Sequence, residues 1–201
     1  MLEFEELDYQ ETPLGAISLR RRSEPRLGGK ILYEVKLGEE FLMSSLFVEA
    51  EEKLAALALQ SLDGEELDVV VGGLGLGYTA AKALENEAVR SLRVIETMAP
   101  VISWHRLALV PLGDKLALDS RCSLVHGDFF KLAASSGLTA LAASLHPGGV
   151  FGLWSNDPPD EAFVSLLGEV FASAKFHLVT FANPYTGGES SNTIYLACKA
   201  G

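Results

Sequence analysis

Val69-Val70-Val71-Gly72-Gly73-Leu74-Gly75-Leu76-Gly77-Tyr78-Thr79 (residues 69–79) packs four glycines into six residues directly behind a run of valines. A short β-branched run, a glycine turn and the alanine-rich stretch 79–88 read as strand, tight loop, helix. In an open α/β sheet such a loop lies at the carboxyl edge, where ligands bind. Three ligands compete for it. A phosphate-gripping loop needs Lys and Ser/Thr after its last glycine, but Tyr78 and Thr79 follow Gly77. The dinucleotide pattern G-x-G-x-x-G keeps Gly73 and Gly75, but Tyr78 takes the place of the third glycine, which disfavours NAD. An adenosyl sulfonium such as S-adenosylmethionine carries no phosphate. It needs a glycine turn against its amino-acid part and an acid for its ribose hydroxyls.

The next two strand tips supply acids. Glu96, followed by Thr97, closes the strand Leu92-Arg93-Val94-Ile95-Glu96. A carboxylate accepts from two hydroxyls, although an ordinary strand-end charge would look the same. Asp128 ends His126-Gly127-Asp128. It can accept from an adenine amino group, cap the following helix, or do both. The expected donor contacts are therefore Gly72, Gly73, Leu74, Gly75, Gly77, Glu96, Thr97, Gly127 and Asp128.

Strands and helices alternate around this core. Helices are expected over 48–62, 79–88, 99–111, 138–145 and 161–174. Strands are expected over 67–71, 92–96, 122–128, 150–155, 175–182 and 192–200, the first buried on both faces. The last two, joined by Asn183–Asn192 without a helix, form an antiparallel hairpin. Before residue 47, β-branched and aromatic residues between turns such as Thr12-Pro13-Leu14-Gly15 read as a few antiparallel strands. The fold class is thus α/β: a doubly wound, mostly parallel Rossmann-like sheet with a C-terminal antiparallel hairpin. Residues 1–46 form a small β subdomain and residues 47–201 the ligand-binding domain.

Composition narrows the function classes. The 201 residues are 48% hydrophobic and 21% charged, which suits a large core rather than disorder. A formal net charge of −11 argues against a nucleic-acid partner and suits a cationic small molecule. No apolar run approaches the roughly 18 residues of a membrane span, and the acidic N-terminus lacks a signal pattern, so a cytoplasmic protein is expected. Cys122 and Cys198 fit no metal or disulfide framework and read as reduced, mostly buried strand residues.

Taken together these landmarks resemble the class I S-adenosylmethionine-dependent methyltransferases, and more narrowly their spermidine synthase branch. Gly72-Gly73-Leu74-Gly75-Leu76-Gly77 stands where that branch has GGGDGG. Leu118–Asp128 is similar to its "DPRV…GD" segment, and Leu145-His146-Pro147-Gly148-Gly149-Val150 matches the superfamily's L-x-P-G-G turn. The resemblance implies S-adenosylmethionine or its decarboxylated form as donor and a small acceptor, in polyamine chemistry a diamine. It also allows a homodimer. An S-adenosylmethionine-dependent methyltransferase of unknown substrate, or a non-catalytic binding protein of the same fold, is the alternative.

The chain departs from that branch at Leu76, where glycine is usual, and around Leu74-Gly75, where an acid is expected. A larger departure follows Asp128. The resemblance puts the catalytic aspartate at the end of a fourth parallel strand, yet Asp128 to Pro147 spans nineteen steps with no strand-like run. A sheet lacking that strand would be open by about 10 Å. We therefore expect a missing segment near 134–138, and no catalytic residue can be assigned. The loop Asn156-Asp157-Pro158-Pro159 lies at the ligand-bearing edge, making Trp154, Asn156 and Asp157 acceptor-pocket candidates; helix capping by Asp157 or Asp160 is the plainer reading. Trp104 and His105 read as core and helix surface. His126 and His146 match no catalytic or metal spacing. Asn183–Asn192 reads as an acceptor cover or as an ordinary hairpin loop.

Overall fold

The computed structural model describes residues 4–129 and 137–201. Strands β1 (Phe4–Thr12), β2 (Gly15–Glu24), β3 (Lys30–Leu37) and β4 (Glu40–Ser44) form an antiparallel sheet in sequential order. Thr12 closes the first turn: its hydroxyl donates to Gly15 O at 2.7 Å and accepts from the Leu14 amide. The two-residue period turns Ile17, Leu19 and Val35 inward, where they join the main core.

Helix α1 (Glu49–Gln60) leads into β5 (Leu67–Gly72), α2 (Tyr78–Ala83), β6 (Val89–Glu96), α3 (Ala99–Arg106), α4 (Gly113–Leu118) and β7 (Cys122–His126). Strands β5, β6 and β7 pair in parallel, in that order. Then come α5 (Gly137–Ser144), β8 (Val150–Ser155), α6 (Glu161–Gly168), β9 (Ser173–Asn183) and β10 (Gly188–Cys198). Here β10 runs antiparallel between β8 and β9. This is the expected Rossmann-like α/β arrangement with a C-terminal hairpin, behind an N-terminal β region.

Several details differ from the expectation. The parallel sheet ends at β5 and the antiparallel sheet at β8, with no strand between them among the described residues. The expected break near 134–138 falls largely outside those residues, although Gly137 and Leu138 already belong to α5. β5 is covered on one face only: Val70 is 55% exposed, whereas Val69 and Val71 pack against the core. The expected helix 99–111 stops at Arg106, because Ala108 turns to φ 54° and Pro111 follows, and a separate helix, α4, starts at Gly113. The helix from Glu161 stops at Gly168, and β9 starts two residues earlier than expected, at Ser173. The last hairpin is also tighter, with strands pairing up to Asn183 opposite Gly188.

Helix α1 ties the two sheets together. The expected single apolar face of Val48, Leu54, Leu57 and Leu59 is instead two. Ala55 and Leu59 face the main core, while Leu54, Leu57 and Ala58 pack on Val150, Trp154 and Ile194. Val48 is only the residue before the helix. Cys122 and Cys198 are free and half-buried rather than mostly buried. Burial pushes the Cys122 thiol up to about 11, so it stays protonated.

Candidate functional site

The glycine loop turns at the tip of β5, with Gly73, Gly75 and Gly77 at φ 90°, 49° and 92°. L-residues with side chains rarely take these values. At Gly77 space demands glycine as well, since a Cβ would lie 2.6 Å from Leu116 and 2.8 Å from His105. Within the loop the Gly77 amide donates to Leu74 O at 2.8 Å, and the Gly73 amide donates to Ile95 O at 2.8 Å, joining the loop to β6. Gly72 and Gly73 are exposed, as is Thr97 at the tip of β6. The Phe129 ring lies against Gly72, 2.6 Å from where a Cβ would be. Tyr78, in the place of a third glycine, packs on the main core beside the N-terminal sheet.

Glu96 is 6% exposed and is held by the backbone on both sides. One carboxylate oxygen accepts from the Leu74 amide at 2.7 Å and the other from the Met98 amide at 2.8 Å. These charge-assisted bonds weld the tip of β6 to the loop at the tip of β5. Each oxygen keeps a further lone pair for a ligand hydroxyl. The third tip lies alongside: the Gly127 amide donates to Glu96 O at 3.0 Å, and the Thr97 hydroxyl reaches Gly127 O at 3.4 Å. His126 Nε2 lies 3.0 Å from Thr97 O. Asp128 is half-buried next to this tip. The fold thus brings the expected donor residues Gly72, Gly73, Leu74, Gly75, Gly77, Glu96, Thr97, Gly127 and Asp128 to one edge of the parallel sheet. Leu74 itself is only 5% exposed, and its amide is taken by Glu96.

The acceptor candidates are placed differently. Trp154 points toward α1 and packs with Leu54 and Leu57, so its ring belongs to a core cluster. Asn156 accepts from Asn192 Nδ2 at 2.7 Å, and Asp157 O accepts from the Thr193 hydroxyl at 2.7 Å, tying this loop to β10. Helix α6 is capped by Asp160, whose carboxylate accepts from Ala162 and Phe163 amides, and not by Asp157. The 183–188 turn is anchored to the N-terminal sheet through Tyr185. The Tyr185 hydroxyl donates to buried Glu24 at 2.9 Å and accepts from Arg22 at 2.9 Å. Arg22, joined by the Arg26 amide and Tyr185, holds the Glu24 carboxyl below its usual range.

Two loop contacts have no counterpart in the sequence reading. The Leu76 amide donates to Met43 Sδ at 3.1 Å, from β4. His105, expected at a helix surface, is fully buried with Nε2 2.9 Å from Gly75 O. Neither has a local signal, because the partners lie 33 and 30 residues apart in the chain.

Among the described residues no group of three or more His, Cys, Asp or Glu could hold a metal, and no helix is long and apolar enough to cross a membrane. No protein-family model and no curated protein matches the chain. Solved structures do. A spermidine synthase from Thermotoga maritima superposes with a TM-score of 0.74 at 18% identity, covering 97% of this chain and 73% of that one. A spermidine synthase in complex with the transition-state analogue AdoDATO gives 0.72 at 17% identity, over 97% and 72%. A probable spermidine synthase from Corynebacterium glutamicum gives 0.63 at 14% identity, over 95% and 79%. With its parallel sheet, antiparallel C-terminal strands and N-terminal β region, the chain has a spermidine synthase-like fold of the class I S-adenosylmethionine-methyltransferase type.

Proposed function

We propose that the chain binds an adenosyl-sulfonium donor across the tips of β5, β6 and β7 and transfers an alkyl group from it to a small acceptor. The observation that carries this reading is the Glu96 carboxylate, held within hydrogen-bond reach of the glycine loop's own backbone. In it, the donor's amino-acid part lies over exposed Gly72 and Gly73, its ribose hydroxyls meet Glu96, and its adenine lies by Gly127 and Asp128. Nothing in the loop demands a phosphate: Tyr78 stands where a lysine or third glycine would.

The likeness to spermidine synthases, one of them holding AdoDATO, supports decarboxylated S-adenosylmethionine as donor and an amine as acceptor. A net charge of −11 suits an amine. In such a transfer the amine lone pair attacks the carbon beside the sulfonium. A C–N bond forms, the C–S bond breaks with its electrons going to sulfur, and the amine gives up a proton to a base. The enzyme's part is to align the two and take that proton.

One observation favours a second reading, binding without transfer. The resemblance puts the base at the end of a strand between β7 and β8 in sequence, and none occurs there among the described residues. Incubation with each donor and a series of diamines, followed by chromatography, separates the readings. Methylthioadenosine release with the decarboxylated donor is the expected result. Release of S-adenosylhomocysteine from S-adenosylmethionine would move the assignment to methyl transfer. Binding with neither product would leave a binding protein.

A further inference from the structure

Three consecutive loop residues are each gripped through the backbone by a side chain from a different element. Glu96, at the tip of β6, takes the Leu74 amide; His105, on α3, meets the Gly75 carbonyl; Met43, on β4, takes the Leu76 amide. We propose that His105 is the positioning residue of this loop, setting from beneath the backbone shape in which a donor is received. The inference rests on the donor-binding reading for its purpose, but not for its geometry.

The chemistry of the contact fixes the tautomer. A carbonyl oxygen only accepts, so His105 Nε2 carries the proton and Nδ1 is bare. That Nδ1 atom is buried and has no hydrogen-bond partner among the described residues. Leaving it unpaired is costly in a 0%-exposed side chain. A leucine or phenylalanine would fill the place without that cost. What the imidazole alone provides is the Nε2–H donor at 2.9 Å from Gly75 O. The ring also fills the space above which Gly77 turns, since a Cβ there would lie 2.8 Å from His105 Cε1. One side chain therefore sets two loop residues. Burial pushes the imidazole's pKa below the ordinary value, against the pull of the Gly75 carbonyl and of Glu96, and so favours the neutral ring.

His105→Leu and His105→Gln test this, because glutamine can place an amide donor near the position of Nε2. Hydrogen exchange at the amides of residues 73–77 is read without ligand, with the β9–β10 hairpin as internal control. Donor affinity is read by calorimetry. In the leucine variant, loop exchange should rise at least tenfold with the hairpin unchanged, and donor affinity should fall at least tenfold. The glutamine variant should stay within threefold of the parent on both. Parent-like loop exchange in the leucine variant would overturn the proposal, as would equal loosening of loop and hairpin. Should the leucine variant fail to fold, tenfold faster loop exchange in the glutamine variant would overturn it. If the parent binds no adenosyl compound, the donor-binding reading falls, while the exchange measurement still decides the role of His105.

Discussion

Glu96 was legible in the sequence as an acid at a strand tip, but its first role in the structure is to hold backbone. Replacing it with glutamine turns one of its two acceptors into a donor facing an amide N–H. Glu96→Gln should therefore cost about 2–3 kcal/mol, the scale of a lost bond to a charged group in a buried site, read by urea unfolding. His105 adds a pH signature. Burial lowers its folded-state pKa below the ordinary 6.5, so the unfolded chain takes up a proton that the folded chain refuses. Stability is then highest above about pH 6.5 and falls as pH drops below it; His105→Gln should flatten that part of the curve. Neither His105 nor Met43 could be read as a loop contact from sequence. Both reach the loop across about thirty residues of chain, through packing of α3 and β4 that no local pattern encodes.

Among the elements, the strand before the loop was read well because its signal is local, valines and then glycines, whereas the helix after it starts as expected but ends at Ala83 instead of running to 88. Element ends were read less well where tertiary bonds decide them. The 183–188 turn reads as a loop by composition, yet Asn183 Nδ2 donates to Ser190, and Tyr185 docks on Glu24 and Arg22. Tyr185→Phe should cost about 1 kcal/mol and speed amide exchange in this turn, since the hydroxyl links the hairpin to the N-terminal sheet. Helix α1 has two working faces, and Gly152 on β8 lets it lie close. A Cβ at Gly152 would sit 2.7 Å from Leu54. Gly152→Ala should then cost about 1–3 kcal/mol through overpacking, as measured by denaturant midpoint.

On the scale of the molecule, the parallel sheet and the C-terminal antiparallel sheet have β5 and β8 as end strands, and α1 packs against both sheets. The lack of a strand-like run between Asp128 and Pro147 was visible in the sequence as a problem of length. In the structure β5 is an end strand of its sheet, and Val70 is exposed on its open face. Unpaired strand edges invite association, so the chain should show concentration-dependent self-association in sedimentation, reduced by Val70→Lys. The central claim is that the tips of β5, β6 and β7 form an adenosyl-sulfonium site. Calorimetric titration with S-adenosylmethionine, its decarboxylated form and NAD tests it most directly. The account predicts that one of the two sulfonium compounds binds, that NAD does not, and that Glu96→Gln weakens the binding at least tenfold. Binding of NAD alone would contradict it.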